Sequence, residues 1–232
     1  PITNFIPKSM VEVNNTPLLV NALNILTKYD EIDEIGIVVG HMADYIRSHI
    51  GENWNNKPIK YFENDQYLVT NNIVSLYQAT KFCDDDMLML ECDIYYHKEM
   101  IDALLKGDGE CNILVSDFNK DTMDGTVIEV NGNYAKQLVL GKWQGDNYDY
   151  SNSKKTVNMY KFKKDFIKNK YMPLIKWYVE NIGKDSYYEK VLGQLIYLQE
   201  FDVKVVSVPE TMWCEIDDAD DLARAKKQFE IN

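Results

Sequence analysis

The sequence predicts an α/β fold: a mixed, mostly parallel sheet with helices on both faces and a β-rich insert. Three observations predict it. Short continuous apolar runs, "IGIVVG" (35–40), "MLMLECDI" (87–94) and "CNILVSDF" (111–118), suit strands buried on both faces. Helix-like stretches fall between them, and that β-α-β-α order implies parallel strands joined by crossover helices. The middle of the chain changes character: "GTVIEV" (125–130) and "NYAKQLVL" (133–140) share "NGN" (131–133), a hairpin signal.

The elements follow in order. Pro17 suits a helix first turn, and Leu18, Leu19, Ala22, Leu23, Ile25 and Leu26 form one apolar face behind it. A polar helix is expected over 42–50 and a strand over "IKYF" (59–62). "NNIVSLYQAT" (71–80) and "KEMIDALLK" (98–106) read as helices. A strand is expected over "KTVNMYKF" (155–162), then longer helices over about 164–182 and 187–200, then a strand over "VKVVSV" (203–208). The chain has no repeat, low-complexity tract or obvious linker. The expectation is a single domain over 1–232 with an insert at about 118–163.

Composition narrows the partners. The 232 residues are 45% hydrophobic and 12% aromatic, enough for a sizeable core. A net charge of -12 argues against nucleic acid, whose phosphates need clustered Lys and Arg, and against an anionic membrane surface. No run approaches the 18 or so apolar residues that a membrane span needs, and a cytoplasmic location is expected. Cys83, Cys92, Cys111 and Cys214 form no CxxC pair and read as reduced thiols, mainly core residues. Three histidines without a CxxC or HExxH pattern argue against zinc.

Five features carry candidate chemistry. Asp93 ends an apolar strand, where α/β sheets bind ligands; it is either a metal ligand or the cap of the next helix. "MWCEIDDADDLARA" (212–225) packs five carboxylates into seven positions. Much of that crowding suits a strand-to-helix junction, with Asp217 or Asp218 as N-cap and Asp220 and Asp221 in the first turn. Two strand-end aspartates together, Asp93 and Asp217, suit a divalent cation such as Mg²⁺, and with it a phosphate-bearing substrate. Lys8, held behind Pro7, is either a phosphate contact or a solvated lysine. Asn71, Asn72 and Ser75 either cap a helix or read a base edge. Finally, Lys142, Lys154, Lys155 and Asn158 keep company with Asp124, Trp143, Tyr187 and Tyr188. That mixture suits a small zwitterion carrying phosphate, or else an ordinary hairpin with an aromatic core.

In this order the segments resemble a family. "PKSMVEVNNTPLL" (7–19) is similar to the Pro-Lys segment of nucleotidyltransferases. "TNNIVSL" (70–76), "LECDIYY" (90–96) and "WCEIDDADDL" (213–222) resemble the small cytidylyltransferases, the phosphocholine enzymes and their phosphonate and phosphoramidate relatives. "DGTV" with "KTVNMYKF" looks closer to the latter branch, which includes CTP:phosphoglutamine cytidylyltransferase. The resemblance covers essentially the whole chain. It implies a Rossmann-like sheet of the nucleotide-diphospho-sugar transferase type. It implies transfer of CMP from CTP to a phosphoglutamine-, phosphocholine- or aminoethylphosphonate-type acceptor, with release of pyrophosphate, for phosphonate or capsule-type surface decoration. Carried onto this sequence, Lys8 contacts the triphosphate, and Asn72 and Ser75 lie near the base. Asp93 and Asp217 hold Mg²⁺. Asp124, Lys142, Lys155, Asn158, Tyr187, Trp213 and Glu215 serve the acceptor. The family's first strand and Gly-rich loop are expected before residue 1, and Cys92 stands where many relatives have Gly.

The resemblance implies in-line attack by an acceptor oxygen that is already ionised near neutral pH, so no general base is needed. Catalysis then rests on positioning and charge neutralisation. Within the division of labour, Asp217 goes to the metal and Asp218 to the cap. Two other readings stand beside this one: a sugar-1-phosphate nucleotidylyltransferase using UTP or dTTP, and a non-catalytic nucleotide-sensing domain. Aromatics on the 164–200 helices suit a homodimer.

Overall fold

The structure, a computed structural model, describes residues 6–120 and 123–230. The chain divides into two compact units: Pro1–Tyr67 with Glu91–Ile101 and Glu210–Asn232, and Leu68–Leu90 with Asp102–Pro209.

In the first unit, helix Leu18–Leu26 buries Leu18, Leu19, Leu23, Ile25 and Leu26, the face its spacing predicts. Leu19 and Leu23 join Met10, Val39, Ile46, Ile50 and Ile59 in one apolar cluster. Leu18 joins Val11, Val13, Cys214, Ile216, Ala225 and Phe229 in another. Each such leucine contributes roughly 1.5–3 kcal/mol when buried. Strands Ile35–Val39 and Lys57–Glu63 pair in parallel, and Asn53–Trp54 adds an antiparallel edge. The tight turns use Asn pairs at positive φ, Asn14–Asn15 (48° and 67°) and Asn55–Asn56 (46° and 70°), as a hairpin of this hand requires. Asn14 Nδ2 then donates to the carbonyls of Lys226 (2.9 Å) and Phe229 (3.0 Å), satisfying the end of the last helix.

Two segments distant in sequence meet in an antiparallel ribbon, Ile94–Tyr96 against Trp213–Glu215, with Glu215 opposite Ile94. The Ile216 amide extends the pairing to the Asp93 carbonyl at 2.9 Å. Helix Ala219–Gln228 follows, with Asp218 as its N-cap. This part of the fold corrects one expectation. The run 87–94 is two strands, Met87–Leu90 and Ile94–Tyr96, interrupted at Glu91-Cys92-Asp93. A carboxylate is costly between buried sheet faces, so the chain leaves the sheet where the acids begin.

The second unit carries a six-stranded sheet in the order Met87–Leu90, Ser153–Phe162, Cys111–Asp117, Val203–Ser207, Tyr134–Val139, Val127–Asn131. Val127–Asn131 and Tyr134–Val139 form the expected hairpin about Gly132, whose φ is 59°. The fold is mixed α/β as expected, but its parallel share is smaller than the β-α-β-α order suggests. Val203–Ser207 on Cys111–Asp117 is parallel, as is the Ile35–Val39 pair; the other pairings described are antiparallel. The reason is the ten-residue strand Ser153–Phe162, which runs antiparallel to three neighbours. The expected 164–182 helix is continuous but changes hydrogen-bonding register: a π turn at Ile167–Tyr171 precedes Met172–Asn181. Pro173 explains it, because it lacks an amide and crowds the carbonyl four residues back. Among the described residues no helix is long and apolar enough to cross a membrane. All four cysteines are free thiols; Cys83, Cys111 and Cys214 are buried, whereas Cys92 is exposed, because it lies in the break between two strands.

Candidate functional site

The ribbon sets the site in the first unit. Side chains two apart in extended chain project to the same side. Both arms carry the pattern E-x-D at the ribbon's end, Glu91-Cys92-Asp93 on one and Glu215-Ile216-Asp217 on the other. One carboxylate oxygen each from Glu91, Asp93 and Glu215 lies within 4.8 Å of the others. Lys8 arrives from a different direction. Pro7, at φ -65° and ψ 148°, turns the chain into a short 3-10 turn that begins at Lys8. The Lys8 ammonium donates to Asp93 Oδ2 at 2.9 Å and to Asp217 Oδ1 at 2.5 Å. The two carboxylates hold the Lys8 ammonium well above its ordinary range despite the opposing effect of burial, which is the largest single influence. The other oxygen of Asp93, Oδ1, is buried with no hydrogen-bond partner among the described residues.

These residues fit a hard divalent cation. The donors are all carboxylate oxygens, the type Mg²⁺ takes. An unsatisfied buried carboxylate oxygen is costly unless something electropositive meets it. Lys8 balances two carboxylates with one charge, so the corner keeps net negative charge even with Lys8 in place.

The rest of the acidic run is accounted for by the helix. Asp218 accepts from the amides of Asp220 and Asp221, and Asp221 reaches back to the amides of Asp217 (2.9 Å) and Asp218 (3.3 Å), a capping box. Arg224 pairs with Asp221 at 2.7 Å. Trp213 is buried in the ribbon.

The second unit holds the remaining sequence candidates, in three groups. Asn72 opens helix Asn72–Gln78, with Asn71 as its cap. Its side chain accepts from the Tyr188 amide (2.9 Å) and donates to the buried Glu189 (3.2 Å), so it ties two helix starts together. Ser75 is half-buried one turn on. Next, Lys142 lies 5.8 Å from the Trp143 ring and 5.7 Å from the Tyr187 ring, with all three side chains exposed. Finally, a cavity of about 410 Å³ is lined by Phe118, Lys120, Asp124, Gln144 and Tyr150, among others. The Phe118 and Tyr150 rings stack there at 4.3 Å. Gln144 is fixed by donating to the Gly125 and Val139 carbonyls and accepting from Tyr150. Lys155 is buried beside it: a Cβ at Gly125 would lie 3.1 Å from Lys155 Nζ, and the φ of +83° there is what favours glycine. Asn158 is buried too, at φ 57° within a bulge of the long strand, a conformation Asn tolerates better than most residues. Its Oδ1 accepts from the Tyr160 hydroxyl at 3.3 Å.

The structure therefore brings Lys8, Asp93, Asp217 and Glu215 together, and separately Lys142 with Tyr187. Sequence reasoning assigned Glu215 to the acceptor, whereas its carboxylate lies among the acids of the ribbon. It missed Glu91, whose signal was the repeated E-x-D. It also missed the Phe118–Tyr150 stack and Glu189, for which only the folded chain supplies the neighbour.

The chain is similar to two curated proteins, to one along nearly its whole length and to the other over part of it. It is 23% identical over 224 residues to a CMP-5'-(3-aminopropyl)phosphonate synthase of Streptomyces rubellomurinus, covering 96% of this chain and 35% of that protein. It is 28% identical over 103 residues to a 2-aminoethylphosphonate cytidylyltransferase of Lancefieldella rimae, covering 41% of this chain and 40% of that one. In structure it matches the CTP:phosphocholine cytidylyltransferase of Streptococcus pneumoniae with a TM-score of 0.76 at 19% identity, over 99% of this chain and 92% of the other. The fold is that of the nucleotidyltransferases. No family model matches the chain. The chain spans about a third of the length of the first phosphonate relative and two-fifths of the second. Both curated relatives are named for forming CMP conjugates of aminoalkylphosphonates or for cytidylyl transfer to one, and the solved neighbour for cytidylyl transfer to phosphocholine. The expected nucleotidyltransferase fold is borne out, and so is the resemblance to the small cytidylyltransferases.

Proposed function

We propose that this chain is a CTP-dependent cytidylyltransferase that moves CMP onto a small phosphonate- or phosphate-bearing acceptor and releases pyrophosphate. The observation that carries the reading is the acidic corner of the first unit, where Lys8 touches Asp93 and Asp217 beside Glu91 and Glu215. A lysine and a carboxylate cluster in one corner provide for both partners of a metal–triphosphate: cationic contact for the phosphates and oxygen ligands for the ion. The names of the relatives support CTP as donor and an aminoalkylphosphonate as acceptor.

In this reading an acceptor oxygen attacks the α-phosphorus in line, a new P–O bond forms, and the bond to the β-phosphate bridging oxygen breaks. The acceptor oxygen is already ionised, so no proton must be removed. Asp93 and Asp217, with Glu91 and Glu215 beside them, would hold Mg²⁺, which would supply charge neutralisation for the phosphate oxygens. Lys8 serves as a mobile point charge for the triphosphate. Asn72 and Ser75 serve the base. Asp124, Lys142, Lys155, Asn158 and Tyr187 serve the acceptor, together with Phe118 and Tyr150. Trp213 supports the ribbon behind the acids. Positioning of this kind is worth roughly 7–11 kcal/mol in favourable cases. We also place the enzyme in the cytoplasm, as a homodimer.

The test is pyrophosphate release from each of four nucleoside triphosphates, crossed with aminoalkylphosphonates, phosphocholine, phosphoglutamine and sugar phosphates. Release confined to CTP with an amino-bearing phosphonate or phosphate supports the reading. Release with UTP or dTTP and a sugar phosphate replaces it, and tight CTP binding with no release from any acceptor does so too.

A further inference from the structure

Lys8 stands in the way of the ion that its partners suit. Its ammonium lies 2.9 Å from Asp93 and 2.5 Å from Asp217, the distances at which a donor fully engages an acceptor oxygen. Asp93 is largely covered at 20% exposure, whereas Lys8 at 36% and Asp217 at 59% stay open to solvent. A divalent cation held between the same two oxygens and the Lys8 ammonium cannot both be there. Both would lie between Asp93 Oδ2 and Asp217 Oδ1, and two cations so close repel.

We propose that Lys8 is an internal place-holder for the divalent cation: it closes the Asp93–Asp217 pair when no nucleotide is bound and must swing away before an ion can seat there. This rests on the reading of the acidic corner as a metal site. It has two consequences. Lys8 lowers the affinity of the free protein for the bare ion. A triphosphate, which offers the ammonium an alternative anion, removes that penalty, so ion and nucleotide bind with positive coupling. The geometry around Lys8 permits the swing. Its backbone is fixed in a short turn set by Pro7, its ammonium is held by Asp93 and Asp217, and a four-carbon lysine stem has staggered rotamers through which the head can leave.

The experiment is a binding isotherm for Mn²⁺ alone, read by the loss of the free-ion EPR signal, with no nucleotide present. It compares the unaltered chain, Lys8→Gln and Arg224→Gln. Arg224 is the control because it removes one positive charge from the same acidic segment while its contact is Asp221, not Asp93 or Asp217. Lys8→Gln is expected to bind Mn²⁺ roughly 3- to 30-fold more tightly, the range that two partly exposed ion pairs represent. Arg224→Gln is expected to stay within about twofold of the unaltered chain, the size of an exposed charge screened by salt. Equal affinity for the unaltered chain and Lys8→Gln overturns the place-holder while leaving the metal site standing. So does equal tightening by both variants, which would mean a general field effect. If neither protein binds Mn²⁺, the metal reading itself fails and this inference with it. Should Lys8→Gln not fold, the unaltered chain is read directly. Mg²⁺ alone must then shift the Lys8 side-chain ¹⁵N resonance, and a resonance unmoved at saturating Mg²⁺ overturns the proposal.

Discussion

The acidic run 215–221 splits into two halves with different fates. Asp218 and Asp221 accept amide hydrogen bonds at a helix N-terminus, Arg224 pairs with Asp221, and Asp220 lies in the first turn, where the helix dipole favours an anion. Glu215 and Asp217 lie on the ribbon side, where Asp217 shares one lysine with Asp93, and Asp93 keeps a buried oxygen unmatched. The two halves have the same residue types and almost the same sequence position. What separates them is what the fold sets against the charge: a helix N-terminus in one half, and a single lysine shared by Asp217 and Asp93 in the other. Charge that the fold compensates belongs to stability, and charge that it leaves partly uncompensated is available to a ligand.

The largest expected effect follows from the ribbon half. Asp217→Ala should lower cytidylyl transfer by about 10²-fold or more, since metal-borne charge stabilisation is worth several kcal/mol. Its thermal midpoint should change little, because the lost Lys8 pair is offset by the removal of one carboxylate from a corner that stays net negative. Pyrophosphate release and a melt on the same preparation check both. A fall in midpoint comparable to that of a cap variant would erase the contrast. That cap variant is Asp218→Ala, which should cost about 0.5–2 kcal/mol. At this chain length each kcal/mol moves the midpoint by about 2–4 °C. Its turnover per folded molecule should stay close to that of the unaltered chain.

How much of this was legible in the sequence differs between the halves in the same way. Asp218 as cap and Asp220 and Asp221 in the first turn could be read locally, because capping depends on residues within one turn. Asp93 and Asp217 could be paired as strand-end acids, but that Lys8 joins them was legible only through resemblance, since three segments far apart in sequence must meet. Glu91 was missed because 87–94 read as one strand; the break at Leu90 is what frees Glu91 to join Glu215. In the insert, the hairpin about Gly132 was plain from its turn residues. The stacking of Phe118 on Tyr150 was not, because it pairs a strand end with a loop 32 positions on.

A smaller effect tests the ribbon behind the acids. Tyr96 is wholly buried, and its hydroxyl has no hydrogen-bond partner among the described residues. Burial pushes that phenol far above its usual range. Unlike Asp93 Oδ1, this oxygen belongs to no carboxylate cluster among the described residues. Tyr96→Phe should therefore leave stability unchanged or raise it slightly, as removal of an unmatched buried polar group does. A midpoint loss of several degrees by differential scanning calorimetry would show that the hydroxyl is matched after all.

The smallest effect sets the scale for a charge pair that neither caps a helix nor faces a ligand. In the second unit Lys204 meets Asp108 at 3.0 Å, with Asp202 at 3.5 Å. The hydrogen bond from Lys204 holds the Asp108 carboxyl below its ordinary value, and the same bond holds Lys204 above its own. A depressed carboxyl contributes stability above its unfolded pKa, about 3.9, and loses it as pH falls through the folded value. A raised ammonium contributes below about 10.4 and loses it as pH rises through the folded value. The pair therefore acts across the middle of the pH range and fades at both ends. Lys204→Met keeps the stem's packing and removes the charge. The midpoint difference between the two proteins should be small near pH 7, shrink below about pH 4, and shrink with added salt because the carboxylate is exposed. A difference that persisted unchanged at pH 2 would assign it to packing, and an exposed pair could no longer serve as the baseline against which the Lys8 corner is judged.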